Sequence, residues 1–238
     1  MQISLNGKRA IVSGSTAGIG LAIAIGLAEA GAEVVLNGRS QARVDQALKQ
    51  VRDKVPAARI IGVAADLGTA EGARQLFEQV PQTDILVNNL GIFEPKGFFE
   101  ISDEEWQRFF EVNVLSAVRL SRHYAPGMKA RNWGRVLFLS SESALQIPTE
   151  MVHYGTTKTA LLAVSRGLAE TLAGTGVTVN AVLPGPTRSE GVGDFFGQMA
   201  KDQGVSTAEL EASFIAEHRP SSIIQRLATV EEVANLVV

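Results

Sequence analysis

Tyr154 and Lys158 are the residues whose types and spacing first indicate chemistry in this sequence of 238 residues. They lie four positions apart in a segment of helical periodicity, so both side chains project from one face. A tyrosine hydroxyl beside an ammonium group can donate a proton to a developing alkoxide and take it back in the reverse reaction. Free tyrosine titrates near pH ~10, so efficient acid/base work requires that the lysine lower the tyrosine pKa.

Ser141 lies 13 positions before Tyr154 and offers a hydroxyl that can hold a substrate oxygen. The neighbouring Ser140 and Ser143 leave the choice of hydroxyl open. Each of these residues also has an ordinary structural alternative: a tyrosine packed at a helix start, a solvated lysine, or a serine in a turn. The three indicate a site only if the fold brings the end of a strand to the start of the following helix.

The elements that must position these residues alternate regularly along the chain. Short apolar runs predict strands at 9–13, 33–37, 59–64, 83–88, 135–140 and 176–183. Longer segments of helical periodicity predict helices at 18–30, 42–54, 70–80, 103–129 and 153–173. Strands that are apolar nearly throughout suit a parallel sheet covered on both faces. We therefore predict a doubly wound α/β sheet of the Rossmann type, in a single domain over residues 1–238.

A glycine-rich turn, residues 13–20, stands between the first strand and the first helix. Gly14 allows a sharp turn, Gly18 lets the backbone approach a pyrophosphate, and Gly20 lets the helix pack close to the sheet. The helix N-terminus offers free N–H groups to phosphates. The turn has the spacing GxxxGxG and no Gly-Lys-Ser/Thr, so it is not a P-loop. It predicts a dinucleotide site that also includes Ser15, Thr16 and Ile19.

The end of the second strand bears on the choice of nucleotide. NAD-binding folds usually place a carboxylate there to hold the ribose 2′-hydroxyl. This sequence has Gly38 at that place and Arg39 and Ser40 after it. A guanidinium fits a 2′-phosphate by bidentate, charge-assisted hydrogen bonds. We predict NADP(H) as the cofactor, with Ser40 adding a hydroxyl; the alternative is that Arg39 is an ordinary solvated charge.

Asp66 and Leu67 follow the third strand and are further candidates for cofactor contact. The Asp66 carboxylate can accept a hydrogen bond from an adenine amino group. It can equally cap the next helix, a role for which Thr69 competes.

Composition excludes several classes of function. The chain is 45% hydrophobic and 20% charged with a net charge of −3, which gives no electrostatic footprint for nucleic acid. The absence of cysteine excludes disulfides and thiolate metal sites, and the three histidines lack the spacing of metal ligands. The longest apolar run, residues 17–28, falls short of the ~20 residues that a membrane span needs. We expect a cytoplasmic protein without a membrane segment, a secretory signal or a metal.

The pattern changes in residues 188–222, which mix helical patches with glycine, serine and charge. A long excursion after a strand end predicts a lid on the substrate side, and the alternative is a variable surface insertion. The sequence then stops inside an amphipathic stretch with no seventh strand. This predicts a truncated chain whose last apolar face is uncovered.

These motifs together resemble the short-chain dehydrogenase/reductase family, in the single-domain branch that includes 3-oxoacyl-acyl-carrier-protein reductases. The resemblance runs from about residue 8 to 238. The family's TGxxxGIG motif matches residues 13–20 with serine for threonine, its NNAG motif matches 88–91 with Leu90 for a small residue, and its YxxxK motif matches 154–158.

The resemblance implies further site residues and an assembly. Asn113 would hold a water in a proton relay that extends from the lysine. The cofactor would be held by Asn89, Leu90 and Gly91. Its nicotinamide carboxamide would be held by the segment that contains Pro184, Gly185, Thr187 and Ser189. The family usually forms homotetramers, so we expect a homo-oligomer, either a dimer or a tetramer.

The prediction for function is an oxidoreductase that transfers a hydride between NADP(H) and a small ketone or secondary alcohol. A narrower alternative is a 3-oxoacyl thioester reductase, for which Arg122, Lys129 and Arg131 are candidate contacts with an acyl-carrier protein. A non-enzymatic alternative is an NADP-sensing protein on the same scaffold. An enoyl reductase would space its tyrosine and lysine more widely. Four residues are expected to shape the substrate pocket: Glu142, Glu150, Met151 and His153.

Overall fold

A computed structural model describes residues 3–238, except for the side chains at positions 194, 195 and 203. Within it six parallel strands form one sheet in the order β3-β2-β1-β4-β5-β6. The strands are β1 (Arg9–Val12), β2 (Glu33–Gly38), β3 (Arg59–Ala64), β4 (Ile85–Asn88), β5 (Gly134–Leu139) and β6 (Val177–Val182). The predicted doubly wound parallel sheet is confirmed.

Helices cover both faces of the sheet, which explains why the strands are apolar nearly throughout. They are α1 (Gly18–Glu29), α2 (Gln41–Lys54), α3 (Ala70–Gln79), α4 (Asp103–Phe110), α5 (Ser116–Ala130) and α6 (Val152–Thr171). Successive residues of β1 alternate between the two resulting cores. Ala10 and Val12 join the core on the side of α1 and α2, whereas Ile11 joins the core on the side of α3, α5 and α6.

The predicted helix over 103–129 is interrupted. Helix α4 begins with a capping box, in which the Ser102 side chain accepts from Glu105 N and the Glu105 carboxylate accepts from Ser102 N. Between α4 and α5 the residues Glu111–Leu115 form a π-helical turn. Such a turn widens the helix locally and is frequent at functional sites. It carries Asn113, whose side chain is fully buried.

The chain after β6 adds a small two-stranded sheet and three helices. Strand β7 (Thr187–Arg188) pairs in parallel with β8 (Ala228–Thr229), a pair that sequence periodicity did not predict. Between them lie α7 (Glu190–Gln203) and α8 (Thr207–His218). These two helices share a separate apolar cluster made of Phe196, Ala200, Leu210, Ile215 and Leu227.

Helix α9 (Val230–Val237) corrects the expectation that the last apolar face is uncovered. Val233, Ala234 and Val237 join the core that contains α1, and a side chain at Gly26 of α1 would lie 3.0 Å from Val238 Cγ2. These residues thus pack against the first helix, whereas Leu236 is exposed.

Asn37, at the end of β2, joins the ends of three neighbouring strands. Its side-chain oxygen accepts from Gly14 N at 3.2 Å, and its amide donates to Val63 O at 3.2 Å and to Ala65 O at 3.0 Å. Only 2% of its surface is exposed. Because β1 and β3 are the two neighbours of β2 in the sheet, these bonds hold the glycine-rich turn, which follows β1, against the ends of β2 and β3.

We predict that Asn37→Leu lowers the free energy of unfolding by about 2–3 kcal/mol, because buried polar groups lose their partners. Urea unfolding measures the change. Asn235→Ala, on the exposed side of α9, is the control and should change stability by less than about 0.5 kcal/mol. Equal effects of the two substitutions would contradict the role given to Asn37.

Candidate active site

The carboxyl ends of β4, β5 and β6 border a cavity of about 800 Å³. It lies where the strand order reverses beside β1, the place at which open α/β sheets bind ligands. Ten residues predicted for the site line it: Ile19, Asn89, Gly91, Ser141, Tyr154, Lys158, Pro184, Gly185, Thr187 and Ser189. The other predicted catalytic and cofactor residues are not among those that line it.

Ser141, Tyr154 and Lys158 meet at one side of this cavity. Ser141 lies two residues after the end of β5 and caps a short 3-10 helix, Glu142–Ala144, where its side-chain oxygen accepts from Ser143 N at 3.1 Å. Tyr154 lines the same cavity, and the Ser141 side chain is close enough to act on the Tyr154 hydroxyl and lower its pKa. Lys158 lies one turn further along α6, with Nζ 5.5 Å from the centre of the Tyr154 ring. The strand end and the helix start therefore converge, as the chemistry requires.

The neighbouring serine hydroxyls are distinguished by their contacts. Ser140 donates to the backbone carbonyl of Lys158 at 2.7 Å, so it fixes α6 against the end of β5. Ser141 is the serine whose side chain acts on the Tyr154 hydroxyl and lowers its pKa. This geometry favours Ser141 over Ser140 as the hydroxyl that faces a substrate.

Lys158 is a buried amine, with 5% of its surface exposed. Its Nζ donates to Leu139 O at 2.9 Å, and no carboxylate among the described residues forms an ion pair with it. Burial disfavours the charged form and lowers the pKa of Lys158 to about 8. The group can therefore gain or lose a proton close to neutral pH.

The tyrosine differs from the sequence-based expectation of a lowered pKa. Burial raises the pKa of Tyr154 above its ordinary value. The Ser141 side chain opposes this shift, and the nearby Glu142 carboxylate adds to it. Lys158 does not reverse the effect, because its ammonium group points to the backbone carbonyl of Leu139. With the protein's own groups alone, Tyr154 is held in its protonated form, ready to donate.

Asn113 fixes the backbone that passes Lys158. Its side-chain oxygen accepts from Ile92 N at 2.8 Å, and its amide donates to Ile92 O and to Thr157 Oγ1, both at 3.0 Å. Thr157 in turn donates to Tyr154 O at 2.7 Å. The π-helical turn, the segment after β4 and the start of α6 are thus linked by one buried amide.

The glycine-rich turn fits a pyrophosphate group. Gly14 and Gly18 have φ values of 61° and 56°, which favour glycine. Helix α1 begins at Gly18 with no side-chain cap at Ala17 and no acidic residue in its first turn. Its first N–H groups and its positive dipole end are therefore open to an anion.

Ser13 and Asn89 join this turn to the end of β4. The Ser13 hydroxyl accepts from Asn89 N at 2.9 Å and from Leu90 N at 3.0 Å. Serine in place of the motif's threonine therefore still provides the hydroxyl that these bonds need. The Asn89 amide donates to Ser13 O and Gly14 O, both at 3.0 Å. A Cβ at Gly20 would lie 2.5 Å from Asn89 Nδ2, so this packing requires glycine there.

The end of β2 does not accommodate the usual carboxylate. A Cβ at Gly38 would lie 2.4 Å from Thr16 Cγ2, so a side chain there would have to displace Thr16. Arg39 and Ser40 are exposed, and Ser40 makes no cap bond at the start of α2. Among the described residues, Arg39 has no hydrogen-bond or ion-pair partner. This donor set fits a dianionic 2′-phosphate.

Three predicted cofactor residues have other roles in the fold. The Ser15 side chain is fully buried, where it donates to Val12 O at 2.7 Å and accepts from Asn37 N at 2.9 Å. The Leu67 side chain lies in the core beside α3. Both can therefore offer only backbone to a ligand. Asp66 does not cap α3, because Thr69 does; the exposed Asp66 carboxylate accepts from Gly68 N at 3.0 Å.

The wall opposite the catalytic groups comes from residues after β6. Thr187 donates to Gly185 O at 2.9 Å, and Ser189 follows with its Cβ 3.3 Å from the Cβ position of Gly18. Segment 188–222 contributes the apolar side chains Val192, Phe196, Met199, Leu210 and Phe214 and the polar ends Ser213, Glu217, His218 and Arg219. The segment lies along the cavity, where a lid was expected.

One predicted pocket residue is placed elsewhere. Glu142, Glu150 and Met151 line the cavity, but His153 does not. His153 is buried on the side of α6 that packs against α4, with its ring centre 4.0 Å from that of Phe109. It precedes Tyr154 on a helix, so its side chain points about 100° away from that of the tyrosine.

Sequence reasoning missed three residues that support the site. Asn37 had a signal, since a polar residue at the end of an apolar strand needs partners when buried. Thr157 is a helix residue between the tyrosine and the lysine, and Arg219 contacts the site from 77 positions beyond Glu142. Neither of these two contacts has a local sequence pattern.

The described part of the chain contains no cluster of three side chains suited to hold a metal ion. In the same residues, every helix is too short or too polar to cross a bilayer.

Comparison with known proteins identifies the class that this fold and site define. A family model described as short chain dehydrogenase matches residues 8–199. The chain belongs to the short-chain dehydrogenase/reductase family, and the resemblance inferred from the motifs is confirmed.

Individual relatives cover the whole chain. It is 49% identical over 237 residues to the uncharacterized oxidoreductase YvaG of Bacillus subtilis, covering 100% of this chain and 90% of that protein. It is 32% identical to the 3-oxoacyl-[acyl-carrier-protein] reductase FabG of Aquifex aeolicus, over 100% of this chain and 91% of that one. L-sorbose reductase from Gluconobacter frateurii, solved with NADPH and L-sorbose, superposes with a TM-score of 0.92 at 34% identity, covering 100% and 90% of the two chains.

We predict that Lys158→Met abolishes turnover yet raises the free energy of unfolding at pH 7 by about 1–3 kcal/mol, because the buried charge is removed. The gain should shrink as pH rises from about 8 to 10.5, where the folded wild type has lost its proton and the unfolded chain still holds one.

Urea unfolding at pH 7 and near pH ~9.5 measures this difference. Lys129→Met, at an exposed position on α5, should leave stability within about 0.5 kcal/mol of the wild type. A Lys158→Met protein that is less stable than the wild type at pH 7 would refute the destabilisation assigned to the buried charge of Lys158.

Proposed function

We propose that this protein is an NADP(H)-dependent oxidoreductase that interconverts a small ketone and its secondary alcohol. The observation that carries the proposal is that Ser141, Tyr154 and Lys158 line one cavity, with Lys158 Nζ 5.5 Å from the centre of the Tyr154 ring. In the family to which the chain belongs, this is the site of the reaction. The NADPH and L-sorbose named for the similar sorbose reductase support both the cofactor and a ketone substrate.

Each residue has a distinct task in this proposal. Tyr154 donates its proton to the carbonyl oxygen, and the raised pKa keeps that proton in place until charge develops. Ser141 donates a hydrogen bond to the same oxygen and stabilises the developing alkoxide. Lys158, with a pKa of about 8, returns a proton toward Tyr154, and Asn113 holds the water of that relay. When bound, NADPH supplies the hydride.

The proposed cofactor contacts follow the donors that remain free. The N–H groups at the start of α1 would hold the pyrophosphate, and Arg39 and Ser40 the 2′-phosphate. Backbone from Gly185 to Ser189 would hold the nicotinamide carboxamide. NADPH or NADP in several similar solved structures supports the same choice.

The other predictions extend this proposal. We regard residues 1–238 as one catalytic domain and segment 188–222 as its lid. Assembly as a homodimer or homotetramer and a cytoplasmic location stay predictions. The similarity to a 3-oxoacyl reductase keeps a thioester as the second candidate substrate. An NADP-sensing role is disfavoured, because such a protein does not need a tyrosine, a lysine and a serine in a catalytic arrangement.

We expect Tyr154→Phe to lower kcat for NADPH-dependent ketone reduction by at least about 100-fold, because the proton donor is lost while the ring is kept. Binding of NADPH, followed by its fluorescence, should be unchanged within about twofold. Tyr124→Phe removes the other tyrosine hydroxyl, which donates to Val80 O far from the cavity, and should keep turnover. Undiminished turnover in Tyr154→Phe would disprove the mechanism.

We expect Arg39→Ala to weaken NADPH binding by about 10- to 100-fold, the worth of charge-assisted hydrogen bonds to the phosphate. NADH binding should change by less than about twofold, since NADH lacks that phosphate. Dissociation constants from fluorescence titration give both values. Arg52→Ala, in the last turn of α2, is the matched control. An equal loss for both nucleotides would exclude recognition of the 2′-phosphate by Arg39.

A further inference from the structure

An ion pair crosses the substrate side of the cavity. Arg219, just after α8, donates through Nε to the carboxylate of Glu142, the residue that follows Ser141. The side chains are only 12% and 27% exposed. The pair therefore joins segment 188–222 to the loop that carries the catalytic serine, in a place largely shielded from water.

The guanidinium of Arg219 is held in this orientation by further contacts. Its Nη1 donates to His218 O at 2.7 Å, and the guanidinium carbon, Cζ, lies 5.9 Å from the centre of the Phe214 ring. Arginine in such a position is suited to bind a carboxylate or phosphate of a ligand by two parallel hydrogen bonds. In this chain a carboxylate of the protein itself takes that place.

The remaining charges of the cavity wall are mostly negative. Its described lining contains three carboxylates, on Glu142, Glu150 and Glu217, and two permanent or partial cations, on Lys158 and Arg219. Lys158 donates to Leu139 O beside the tyrosine. Once Arg219 is engaged by Glu142, an anionic substrate would face Glu150 and Glu217, and the remaining cation, Lys158, is turned to Leu139 O.

We propose that Glu142 sets the charge selectivity of this pocket: by engaging Arg219 it makes the site accept neutral hydroxylated ketones and reject substrates that carry a carboxylate. This inference rests on the proposed function. The carboxylates on the wall can accept hydrogen bonds from the hydroxyl groups of a substrate. A substrate carboxylate placed beside them binds more weakly, because like charges repel. The position of Glu142 next to Ser141 means that its charge acts close to the reacting carbonyl.

Matched pairs of ketones test the proposal. L-sorbose and 5-keto-D-gluconate differ only by a terminal CH₂OH or carboxylate, as do 4-hydroxy-2-butanone and acetoacetate. The full chain is assayed with NADPH, and kcat/KM is measured for both members of each pair. The wild type should prefer the neutral ketone by about 10-fold or more. A preference for the carboxylate, or no turnover of any of the four, would overturn the substrate class.

Substitutions then locate the selectivity. Glu142→Gln leaves the guanidinium free and should raise the ratio of anionic to neutral kcat/KM by about 10- to 100-fold. Adding Arg219→Gln should return the ratio to within about threefold of the wild type. The control Glu232→Gln alters an exposed pair with Arg226 outside the cavity and should leave the ratio unchanged. If Glu142 only stabilised the fold, Glu142→Gln would lower turnover of both ketones equally, and the proposal would fall.

Binding gives a readout that does not depend on turnover. Isothermal titration calorimetry of D-glucitol and D-gluconate should show D-gluconate gaining affinity in Glu142→Gln and losing it again in the double variant. No gain would overturn the assignment to Glu142. Failure of the proposed function is separate, because it would appear as undiminished turnover in Tyr154→Phe.

Discussion

All six strands of the main sheet run in the same direction, so their carboxyl ends share one edge, and the site depends on this constraint. The turn after β1, the segment after β4 and the serine after β5 reach one cavity because each leaves its strand at that edge. Helix α6 returns to the same edge at its start, which brings Tyr154 beside Ser141. The catalytic groups come from distant parts of the sequence, and a single architectural rule gathers them.

Buried amides and an amine hold this edge in shape. Asn37 joins the ends of three strands, and Asn113 joins the π-helical turn to the segment after β4 and to α6. Their polar atoms are satisfied largely by backbone, so they stabilise one arrangement of the loops. Lys158 is different, since its burial disfavours its own charge. The buried Lys158 thus lowers the stability of the folded state at the position where the proposed reaction needs a proton, and such a loss of stability is common at active sites.

Most of the fold was predictable because its signals are local. Apolar runs indicate the strands, and residues 13–20, 154 and 158 indicate the turn and the proposed catalytic pair. The capping box at Ser102 is also a local signal, because Ser102 and Glu105 stand three positions apart at the start of a predicted helix. Roles decided by packing were not predictable: the Ser15 hydroxyl and the Leu67 side chain face inward, and His153 is turned away from the cavity.

The other differences also come from contacts between distant residues. The π-helical turn at Asn113 appears inside a segment with ordinary helical periodicity. The pair of Glu142 and Arg219 depends on how α8 folds back over the cavity. The raised pKa of Tyr154 reflects burial, which spacing along a helix does not report. Residue types indicated which chemistry was available, and tertiary packing determined which groups were free to perform it.

The central claim is that a hydride is transferred in this cavity between NADP(H) and a carbonyl carbon. The most direct measurement uses NADPH with both hydrogens at nicotinamide C4 replaced by deuterium, a hydroxylated ketone such as L-sorbose, and mass spectrometry of the alcohol formed. The account predicts one deuterium in each molecule of product. An NADPH that binds to the protein yet transfers no deuterium to any ketone would contradict the account and would favour a binding protein on the same scaffold.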